Sequence, residues 1–351
     1  MSRDDRRARP GPRLLVLVVA SGLAALALCE GILRLTPWSL LYPPVPDFAW
    51  MAYDPRLGMV NVPGSYTRPR MTRAAVDGAF AINTHGLRGE AIGRKRALRV
   101  VCMGDSGTFG IWLASGVAWQ ENAHFRVDNA YPEMLAARLA ERGIAAEVIN
   151  AGVLGYNSGH GLRQLRLQLL DLAPDVLVVR YGFNDHAFAG PATHVEDPRR
   201  PVLVEAFYLF ARSRLFQLGL TLYRRPQHPV SPERLEWNLR AIVGAARAHG
   251  ARVLLVDYPL RSAHLGMTAE ERMPFLGAAA TLEELHATHA LYQARLADVA
   301  RSENVPLVTT AAALAEAPVP TFSAADLVHP NPAGARIVAD EIAAAIAARE
   351  W

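Results

Sequence analysis

The feature that most constrains the fold of this chain is a series of five short apolar runs, rich in β-branched residues, which helical stretches separate between residues 98 and 351. Runs without polar alternation are typical of strands that are buried on both faces. Strands that alternate with helices predict a parallel sheet with helices on both of its sides. The predicted strands are residues 98–103, 146–150, 175–181, 252–258 and 305–310. The pattern therefore predicts an α/β fold, a three-layer α/β/α sandwich around a five-stranded parallel sheet.

The helices of this sandwich are predicted from their apolar periodicity and from their start signals. Two of them begin with a cap residue followed by proline, at Ser231-Pro232 and at Asn331-Pro332. The predicted helices are residues 132–142, 161–172, 232–249, 282–302 and a last one from 332 to the C-terminus.

The chain divides in our prediction into a tail with an apolar run, a strand-rich lead-in and the α/β domain, which are residues 1–35, 36–95 and 96–351. Within the lead-in, Asp77-Gly78 predicts a hairpin turn. An insertion at about residues 186–231 interrupts the α/β domain. Its apolar part, residues 202–223, fits a lid, an element that rests on a membrane, or a helix packed on the core, and these three interpretations stay open.

The N-terminal part combines a basic tail with an apolar run. Five arginines and two aspartates give the first 13 residues a net charge of +3, and the 15 residues after them carry no charge. The arginines predict that the N-terminus stays in the cytoplasm while the rest of the chain crosses the membrane. Ala25-Leu26-Ala27 resembles a signal-peptidase site, but the apolar pattern continues to Leu35, which favours an uncleaved anchor over a cleaved signal. A lipoprotein signal at Cys29 is disfavoured, because Leu28 stands where a small residue is needed.

Charge and cysteine content exclude further classes of function. Subtracting the +3 of the first 13 residues from the total of +4 leaves +1 for the rest of the chain, too little for a nucleic-acid-binding surface. The two cysteines, Cys29 and Cys102, stand in apolar runs and give neither a disulfide framework nor a metal site. The histidines show no ligand spacing either, so we expect no metal and no cofactor.

Four polar clusters follow predicted strands and carry the candidate chemistry. Ligands of an open parallel sheet bind beyond the carboxyl ends of its strands, so we expect the clusters to meet at one edge of the sheet. The clusters are GDSGT at 104–108, NAGVLG at 150–155, GFND at 182–185 and DLVHP at 326–330.

These clusters contain the groups that acyl transfer needs. Ser106, in a tight turn, can supply the attacking hydroxyl, and His329 can take its proton. Asp326 lies three residues before the histidine and can hold the imidazole in the right tautomer. The backbone N–H groups of Ser106 and Gly155 and the side-chain amide of Asn184 can stabilise an oxyanion. The alternative interpretations are a helix cap for Ser106, an Asx turn for Asn184 and a plain loop histidine for His329.

Together, the stretches GDSGT, NAGVLGYNS, GFND and DLVHPNPAG resemble the four sequence blocks of the SGNH (GDSL-type) hydrolases, in the family's order. The resemblance implies an SGNH hydrolase-like, flavodoxin-like fold and a serine ester hydrolase that needs no cofactor. It also implies a catalytic triad of Ser106, His329 and Asp326. The glycine and the asparagine in the family's name correspond to Gly155 and Asn184, which would form the oxyanion hole together with the serine.

Outside the four blocks, residues 54–90 resemble the lead-in of membrane-anchored bacterial members of this family. Residues 111–135 depart from the family pattern, because they are longer and more aromatic than expected there. This departure leaves the shape of the acyl pocket open and does not change the assignment of the triad. Asp105 is predicted to be structural, through hydrogen bonds to loop amides, and His186 is predicted to be a surface histidine.

These observations predict an exported serine esterase that hydrolyses ester bonds, O-acetyl esters among them, through an acyl-enzyme. The expected substrate is an ester-bearing small molecule, lipid or glycan, all of which fit the sequence. We expect a monomer that a single span holds in a bacterial cell membrane, with its catalytic domain on the periplasmic or extracellular side. Two alternatives stay open: an O-acyltransferase that acts on envelope glycans, and a catalytically silent envelope-binding protein on the same scaffold.

Overall fold

The computed structural model describes residues 12–35, 49–54, 56–71, 74–116, 122–186, 213–215, 230–261 and 281–349. The chain forms two compact units. The smaller unit comprises Met1–Val45 and Ala206–Arg225, and the larger unit comprises Pro46–Glu205 and Pro226–Trp351. The division of the chain at residues 35 and 95 remains a prediction.

The described strands all lie in the larger unit. In chain order they are β1 (Met51–Asp54), β2 (Gly58–Asn61), β3 (Gly64–Thr67), β4 (Arg70–Met71), β5 (Ala74–Asp77), β6 (Ala79–Ile82), β7 (Leu98–Gly104), β8 (Trp112–Ser115), β9 (His124–Arg126), β10 (Ala146–Gly152), β11 (Val176–Arg180), β12 (Arg252–Val256) and β13 (Leu307–Val308). The described helices are α1 (Pro12–Leu35), α2 (Ser106–Phe109), α3 (Tyr131–Glu141), α4 (Ser158–Gln164), α5 (Phe183–His186), α6 (Pro232–Ala248), α7 (Leu282–Ser302), α8 (Ala311–Ala315) and α9 (Pro332–Ala347).

The centre of the larger unit is a parallel sheet of five strands. Their spatial order is β10-β7-β11-β12-β13, and every neighbouring pair runs parallel. After β7 the chain adds β10 on one side of it, and then adds β11, β12 and β13 in turn on the other side. The direction in which strands are added therefore reverses at β7, and the carboxyl ends of β7 and its neighbours form a topological switch point. The prediction of a five-stranded parallel sheet is confirmed.

Both faces of this sheet are covered. Alternate residues of β7 enter opposite apolar cores, because successive side chains of a strand point to opposite faces. Val101 and Met103 join a core that includes residues of α4, α6 and α7. Val100 and Cys102 join a second core that includes residues of α3 and α9. The predicted three-layer sandwich and its five helices are therefore confirmed.

The lead-in does not contain the predicted hairpin. The strands that flank Asp77-Gly78 do not pair with each other, since β5 pairs with β9 and β6 pairs with β3. Asp77 lies opposite Arg126 of β9, and Gly78, with a φ of +113°, turns the chain out of that sheet. A Cβ at Gly78 would lie 2.7 Å from Cγ2 of Val127, so close packing also requires the glycine. The prediction is wrong because the partner of β5 comes from a later part of the chain.

In the smaller unit, α1 exposes most of its apolar side chains, and Leu33 is buried. Among the described residues, Val16–Leu35 is a helix long and apolar enough to cross a membrane, as an anchor or a signal peptide. The Glu30 carboxylate of this helix accepts a hydrogen bond from the hydroxyl of Ser213 (2.8 Å). It also accepts hydrogen bonds from the backbone N–H groups of Arg214 and Leu215, each at 3.0 Å. Apart from these three residues, the apolar part of the insertion lies outside the described residues.

Candidate active site

The candidate nucleophile lies in a tight turn at the carboxyl end of β7. Ser106 is the first residue of α2, and the Asp105 carboxylate caps this helix by accepting a hydrogen bond from the backbone N–H of Gly107 (2.9 Å). A Cβ at Gly104 would lie 2.8 Å from the carbonyl oxygen of Arg180, and a Cβ at Gly107 would lie 2.8 Å from Nη1 of the same arginine. Close packing against backbone therefore requires Gly104, whereas a Cβ at Gly107 would displace the end of the Arg180 side chain. The structural role predicted for Asp105 is confirmed.

Ser106, His329 and Asp326 form one hydrogen-bonded chain. The Oγ of Ser106 lies 2.7 Å from Nε2 of His329, although the two residues are 223 positions apart in the sequence. On the other side of the ring, Nδ1 lies 3.0 Å from Oδ2 and 3.1 Å from Oδ1 of Asp326. In this arrangement an imidazole can take the proton of a serine while a carboxylate fixes its tautomer.

The aspartate and the histidine share one loop, between Thr321 and Asn331, which we call the Asp–His loop. Its base is closed by a hydrogen bond from the backbone N–H of Asn331 to the carbonyl oxygen of Thr321 (2.8 Å). Inside the loop, Oδ1 of Asp326 accepts hydrogen bonds from the backbone N–H groups of Val328 and His329, both at 2.9 Å. These local bonds hold the carboxylate in place beside the imidazole.

A further bond to the same carboxylate comes from outside the loop. Leu113, in β8, donates its backbone N–H to Oδ2 of Asp326 (2.7 Å), and its carbonyl oxygen accepts a hydrogen bond from the hydroxyl of Ser323 (2.5 Å). Because β8 is an edge strand, its outward-facing backbone groups can bond to another part of the chain. The unusual stretch 111–135 therefore supports the candidate triad directly.

The charges of the two loop residues shift their pKa values in opposite directions. Burial alone would lower the pKa of His329, but the Asp326 carboxylate outweighs burial and the pKa is raised from its ordinary value of 6.5. Burial alone would raise the pKa of Asp326, but the histidine and the N–H donors outweigh it and the pKa is lowered. The carboxylate therefore stays ionised at neutral pH and can stabilise an imidazolium.

Two of the predicted oxyanion donors are backbone N–H groups that follow β7 and β10. Among the described residues, no group accepts a hydrogen bond from the backbone N–H of Ser106 or of Gly155. Gly155 has a φ of +78°, which favours glycine, and a Cβ built there would meet no atom within 4 Å. There is therefore open space beside this glycine, as the approach of a ligand requires.

The third predicted donor, Asn184, is buried in α5, and its amide already has two acceptors. Nδ2 donates to the carbonyl oxygen of Tyr156 at 3.0 Å and to Oδ2 of Asp105 at 3.3 Å. These acceptors are the chain neighbours of Gly155 and Ser106, so the structure brings three of the polar clusters together. The bond to Asp105 is the longer of the two and hence the weaker.

Buried groups that sequence reasoning missed lie against the nucleophile turn. Tyr258 donates its hydroxyl to Oδ1 of Asp105 (3.0 Å), and the guanidinium carbon of Arg180 lies 4.0 Å from the centre of the Tyr258 ring. Burial raises the pKa of Asp105, while the positive charge of Arg180 acts in the opposite direction. The available signal was the arginine itself, a charged residue at the end of the apolar run VLVVR.

His186 is not a surface residue, which corrects another prediction. It is fully buried, and its Nε2 lies 2.7 Å from Nδ1 of His289. Burial lowers the pKa of His289 to about 4, so this partner is neutral at neutral pH. Asp185 also points inward, since its Oδ1 accepts hydrogen bonds from the hydroxyl (2.5 Å) and the N–H (3.1 Å) of Ser158. Asp185 and His186 therefore anchor α5 in the core through these contacts.

The described segments show no group of three or more histidine, cysteine, aspartate or glutamate side chains that could hold a metal ion. Both cysteines are free thiols, Cys102 in the core and Cys29 exposed on α1.

The four polar clusters also fall within a match to a known protein family. The model of the GDSL-like lipase/acylhydrolase family matches residues 102–337, which is more than half of the chain. The chain belongs to this family. The family predicted from the sequence blocks is therefore confirmed, and with it the general activity of an ester hydrolase. No match was found among curated proteins.

Solved structures include several that are similar to this GDSL-like chain. A lipase/acylhydrolase from Enterococcus faecalis is 18% identical, with 72% of this chain and 96% of that chain covered and a TM-score of 0.46. LAE5, an α/β hydrolase enzyme from the metagenome of Lake Arreo in Spain, is 20% identical, with 70% and 94% covered and a TM-score of 0.43. A mutant of Axe2, an acetyl-xylooligosaccharide esterase from Geobacillus stearmophilus, is 18% identical, with 72% and 95% covered and a TM-score of 0.43.

Proposed function

We propose that the protein is an exported serine esterase that hydrolyses ester bonds, O-acetyl esters among them, through an acyl-enzyme. Membership of the family supports hydrolysis of acyl esters in general. The observation that carries the finer proposal is the hydrogen-bonded chain from the hydroxyl of Ser106 through His329 to Asp326. A serine hydroxyl is a weak nucleophile at its ordinary pKa, and an imidazole within hydrogen-bond distance activates it.

In the acylation step, Oγ of Ser106 attacks the carbonyl carbon of the ester while its proton passes to Nε2 of His329. Asp326 stabilises the imidazolium that forms. The bond between the carbonyl carbon and the leaving oxygen then breaks, and His329 gives the proton to that oxygen. The products of this step are a free alcohol and an acyl ester on Ser106.

Negative charge develops on the carbonyl oxygen during this attack, and three donors are available for it. The backbone N–H groups of Ser106 and Gly155 are the first two. The third is the amide of Asn184, which exchanges its long hydrogen bond to Asp105 for one to the substrate oxygen. The two backbone donors are already in place, and donors of this kind accelerate the reaction because they cost little reorganisation in the transition state.

In the deacylation step, water takes the place of the alcohol. His329 removes a proton from the water, whose oxygen attacks the carbonyl carbon of the acyl-enzyme. The bond to Oγ of Ser106 breaks, the proton returns to that oxygen, and a carboxylic acid leaves. The resting hydrogen bond between serine and histidine is then restored.

The proposed location rests on α1. The helix follows a tail with a net charge of +3, and its apolar side chains are exposed. We propose that it is retained as a single-pass anchor in a bacterial cell membrane, with the catalytic unit on the periplasmic or extracellular side. The hydrogen bonds of Glu30 to Ser213, Arg214 and Leu215 support retention, because cleavage at the site predicted near Ala27 would separate Glu30 from most of its helix.

Replacement of the nucleophile tests this function. Ser106→Ala should lower the hydrolysis of p-nitrophenyl acetate on the order of 10⁴-fold or more, with the melting temperature unchanged, because one member of the triad is lost. A fluorophosphonate probe should label the wild-type protein and not this variant. Ser65→Ala, which changes an exposed serine of β3, is the matched control and should behave as wild type.

Each alternative function predicts a different result. Residual activity of Ser106→Ala within a few-fold of wild type would remove Ser106 from the role of nucleophile. A wild-type protein that neither reacts with the probe nor hydrolyses esters would be a silent binding protein. Acyl transfer to an added sugar in preference to water would make the protein an O-acyltransferase.

A further inference from the structure

The Asp–His loop is attached to the rest of the larger unit by three side chains that belong to none of the four sequence blocks. The first is Ser323, whose hydroxyl donates to the carbonyl oxygen of Leu113 (2.5 Å). The backbone N–H of the same leucine donates to the Asp326 carboxylate (2.7 Å). One residue of the edge strand β8 therefore binds the loop at two points. A displacement of the loop along this strand would break both bonds.

The second side chain is that of Arg261, which follows β12 and is 5% exposed. Its Nη1 donates to the carbonyl oxygens of Ala324 (2.5 Å) and Ser323 (3.3 Å). Its backbone N–H donates to the carbonyl oxygen of Leu327 (2.9 Å). Arg261 therefore holds the chain on both sides of Asp326 in the sequence.

The third side chain is that of Asn129, which is 1% exposed and precedes α3. Its Nδ2 donates to the carbonyl oxygen of Pro330 (2.7 Å), the residue directly after His329. The histidine side of the loop is thus fixed as well. Asn129 and Leu113 both lie in residues 111–135, the stretch that departs from the family pattern, so this stretch supplies a large part of the attachment.

We propose that Asn129, Arg261 and Ser323 are positioning residues, which act on catalysis through the Asp–His loop and make no contact with substrate. The proposal rests on the proposed function, in which Asp326 and His329 work as parts of a triad. Catalytic groups must be held close to their productive geometry, since a misplacement of about 1 Å can cost on the order of 10²-fold in rate. The bonds described above hold the loop at both ends of its catalytic segment.

The mildest test is Ser323→Ala, which removes one hydroxyl without creating a large cavity. We expect kcat for p-nitrophenyl acetate to fall about tenfold with KM unchanged, because the loop loses a hydrogen bond that holds Asp326 and His329 in their productive geometry. Ser302→Ala is the matched control, because the hydroxyl of Ser302 also donates to a backbone carbonyl, that of Asp298 (2.7 Å), on the helix α7. The control should keep the wild-type kcat.

The decisive measurement is a double-mutant cycle with Asp326→Ala. If Ser323 acts through the aspartate, Ser323→Ala should have no further effect on the residual kcat of Asp326→Ala, because the group that it positions is gone. The same should hold for Arg261→Gln, and for Asn129→Leu in a cycle with His329→Ala, because Asn129 holds the histidine side of the loop. A substitution that lowers kcat by the same factor in the wild-type protein and in the variant without the catalytic partner, and that also lowers the melting temperature, would have a merely structural role. This result would overturn the proposal.

A second readout needs no substrate and separates this proposal from the proposed function. The Nδ1 proton of His329, hydrogen-bonded to Asp326, should give a low-field NMR signal that Ser323→Ala broadens and Ser302→Ala leaves sharp. If the protein has no esterase activity but Ser323→Ala still broadens this signal, the proposed function is wrong, while the three residues still hold His329 and Asp326 in position. If neither the signal nor kcat responds to any of the three substitutions, the positioning role is wrong.

Discussion

At the scale of single residues, Asn184 is the group whose hydrogen bonds must change most during the proposed reaction. Its amide is bonded at rest to Tyr156 and, at 3.3 Å, to Asp105. Charge develops on the substrate oxygen only in the transition state, so the exchange of Asp105 for this oxygen strengthens binding there and not in the ground state. Such an interaction affects kcat rather than KM.

We therefore expect Asn184→Ala to lower kcat about 10²–10³-fold with little change in KM. Asn184→Asp should be at least as damaging, because it places a carboxylate where negative charge develops and directly against Oδ2 of Asp105. Measurement of kcat, KM and melting temperature for both variants checks this. An active Asn184→Asp enzyme beside an unstable Asn184→Ala protein would instead indicate an Asx turn, which aspartate forms as well as asparagine.

The raised pKa of His329 predicts the pH dependence of the reaction. Only the neutral imidazole can accept the proton of Ser106, so kcat/KM should fall as the pH drops through the pKa of the histidine. Because Asp326 raises this pKa, the acid limb should lie above pH 6.5, the ordinary value. Asp326→Asn removes the responsible charge, and the acid limb of its residual activity should move to lower pH. An acid limb at the same pH in Asp326→Asn would show that the titrating group is not His329 beside Asp326.

At the scale of elements, the strands and helices of the α/β domain were predictable from the sequence because burial on two faces leaves a local signature. In β11, for example, residues 176–179 are all apolar, whichever strands lie beside them. Which strands pair, by contrast, depends on residues that are far apart in the sequence. The dipeptide Asp77-Gly78 fits a hairpin, yet β5 pairs with β9, and only the assembled fold makes that pairing available. Partner choice is therefore what the sequence pattern missed.

The same distinction applies to the candidate site. Ser106 and His329 belong to short motifs whose chemistry is visible in the residue types. The support given by Leu113 is invisible in its side chain, because the contact to Asp326 is made by a backbone N–H. Arg180 is visible as a charge at the end of an apolar run, but its contact with Tyr258 beside the nucleophile turn is not. Groups that act through the backbone or from within a core leave no local motif, so these parts of the site required the structure.

The cap of α9 gives a prediction at this scale. Oδ1 of Asn331 accepts hydrogen bonds from the backbone N–H groups of Ala333 (2.9 Å) and Gly334 (3.1 Å). Asn331→Ala should lower the free energy of unfolding by about 1 kcal/mol, the typical effect of a lost cap. Asn331→Asp keeps the accepting oxygen and should lose less. Urea denaturation of the three proteins measures the difference, and equal stabilities would show that the cap contributes nothing.

At the scale of the whole molecule, the contact of Glu30 with Ser213, Arg214 and Leu215 links α1 to a part of the chain about 180 residues later. A carboxylate within an apolar helix is costly unless it is bonded, and these donors satisfy it. Cleavage near Ala27 would leave Glu30 in the mature chain but would remove most of the helix that carries it. The contact therefore favours a helix that is retained whole.

We accordingly expect the protein to stay with membranes after a high-salt wash. A reporter fused after Trp351 should be active only outside the cytoplasm, because the arginines of the tail hold the N-terminus inside. Fractionation and N-terminal sequencing check both points. A soluble species that begins near Leu28 would show that the segment is a cleaved signal.

Synthesis delivers Ser106 long before His329, since 223 residues separate them. Closing so long a loop costs entropy that the rest of the fold must offset, so we expect this contact to form late in folding. In the proposed export, a polypeptide that is still in the translocation channel would carry the serine without its base. Esterase activity would then begin only after the C-terminal residues have crossed the membrane and folded, and esters in the cytoplasm would be spared.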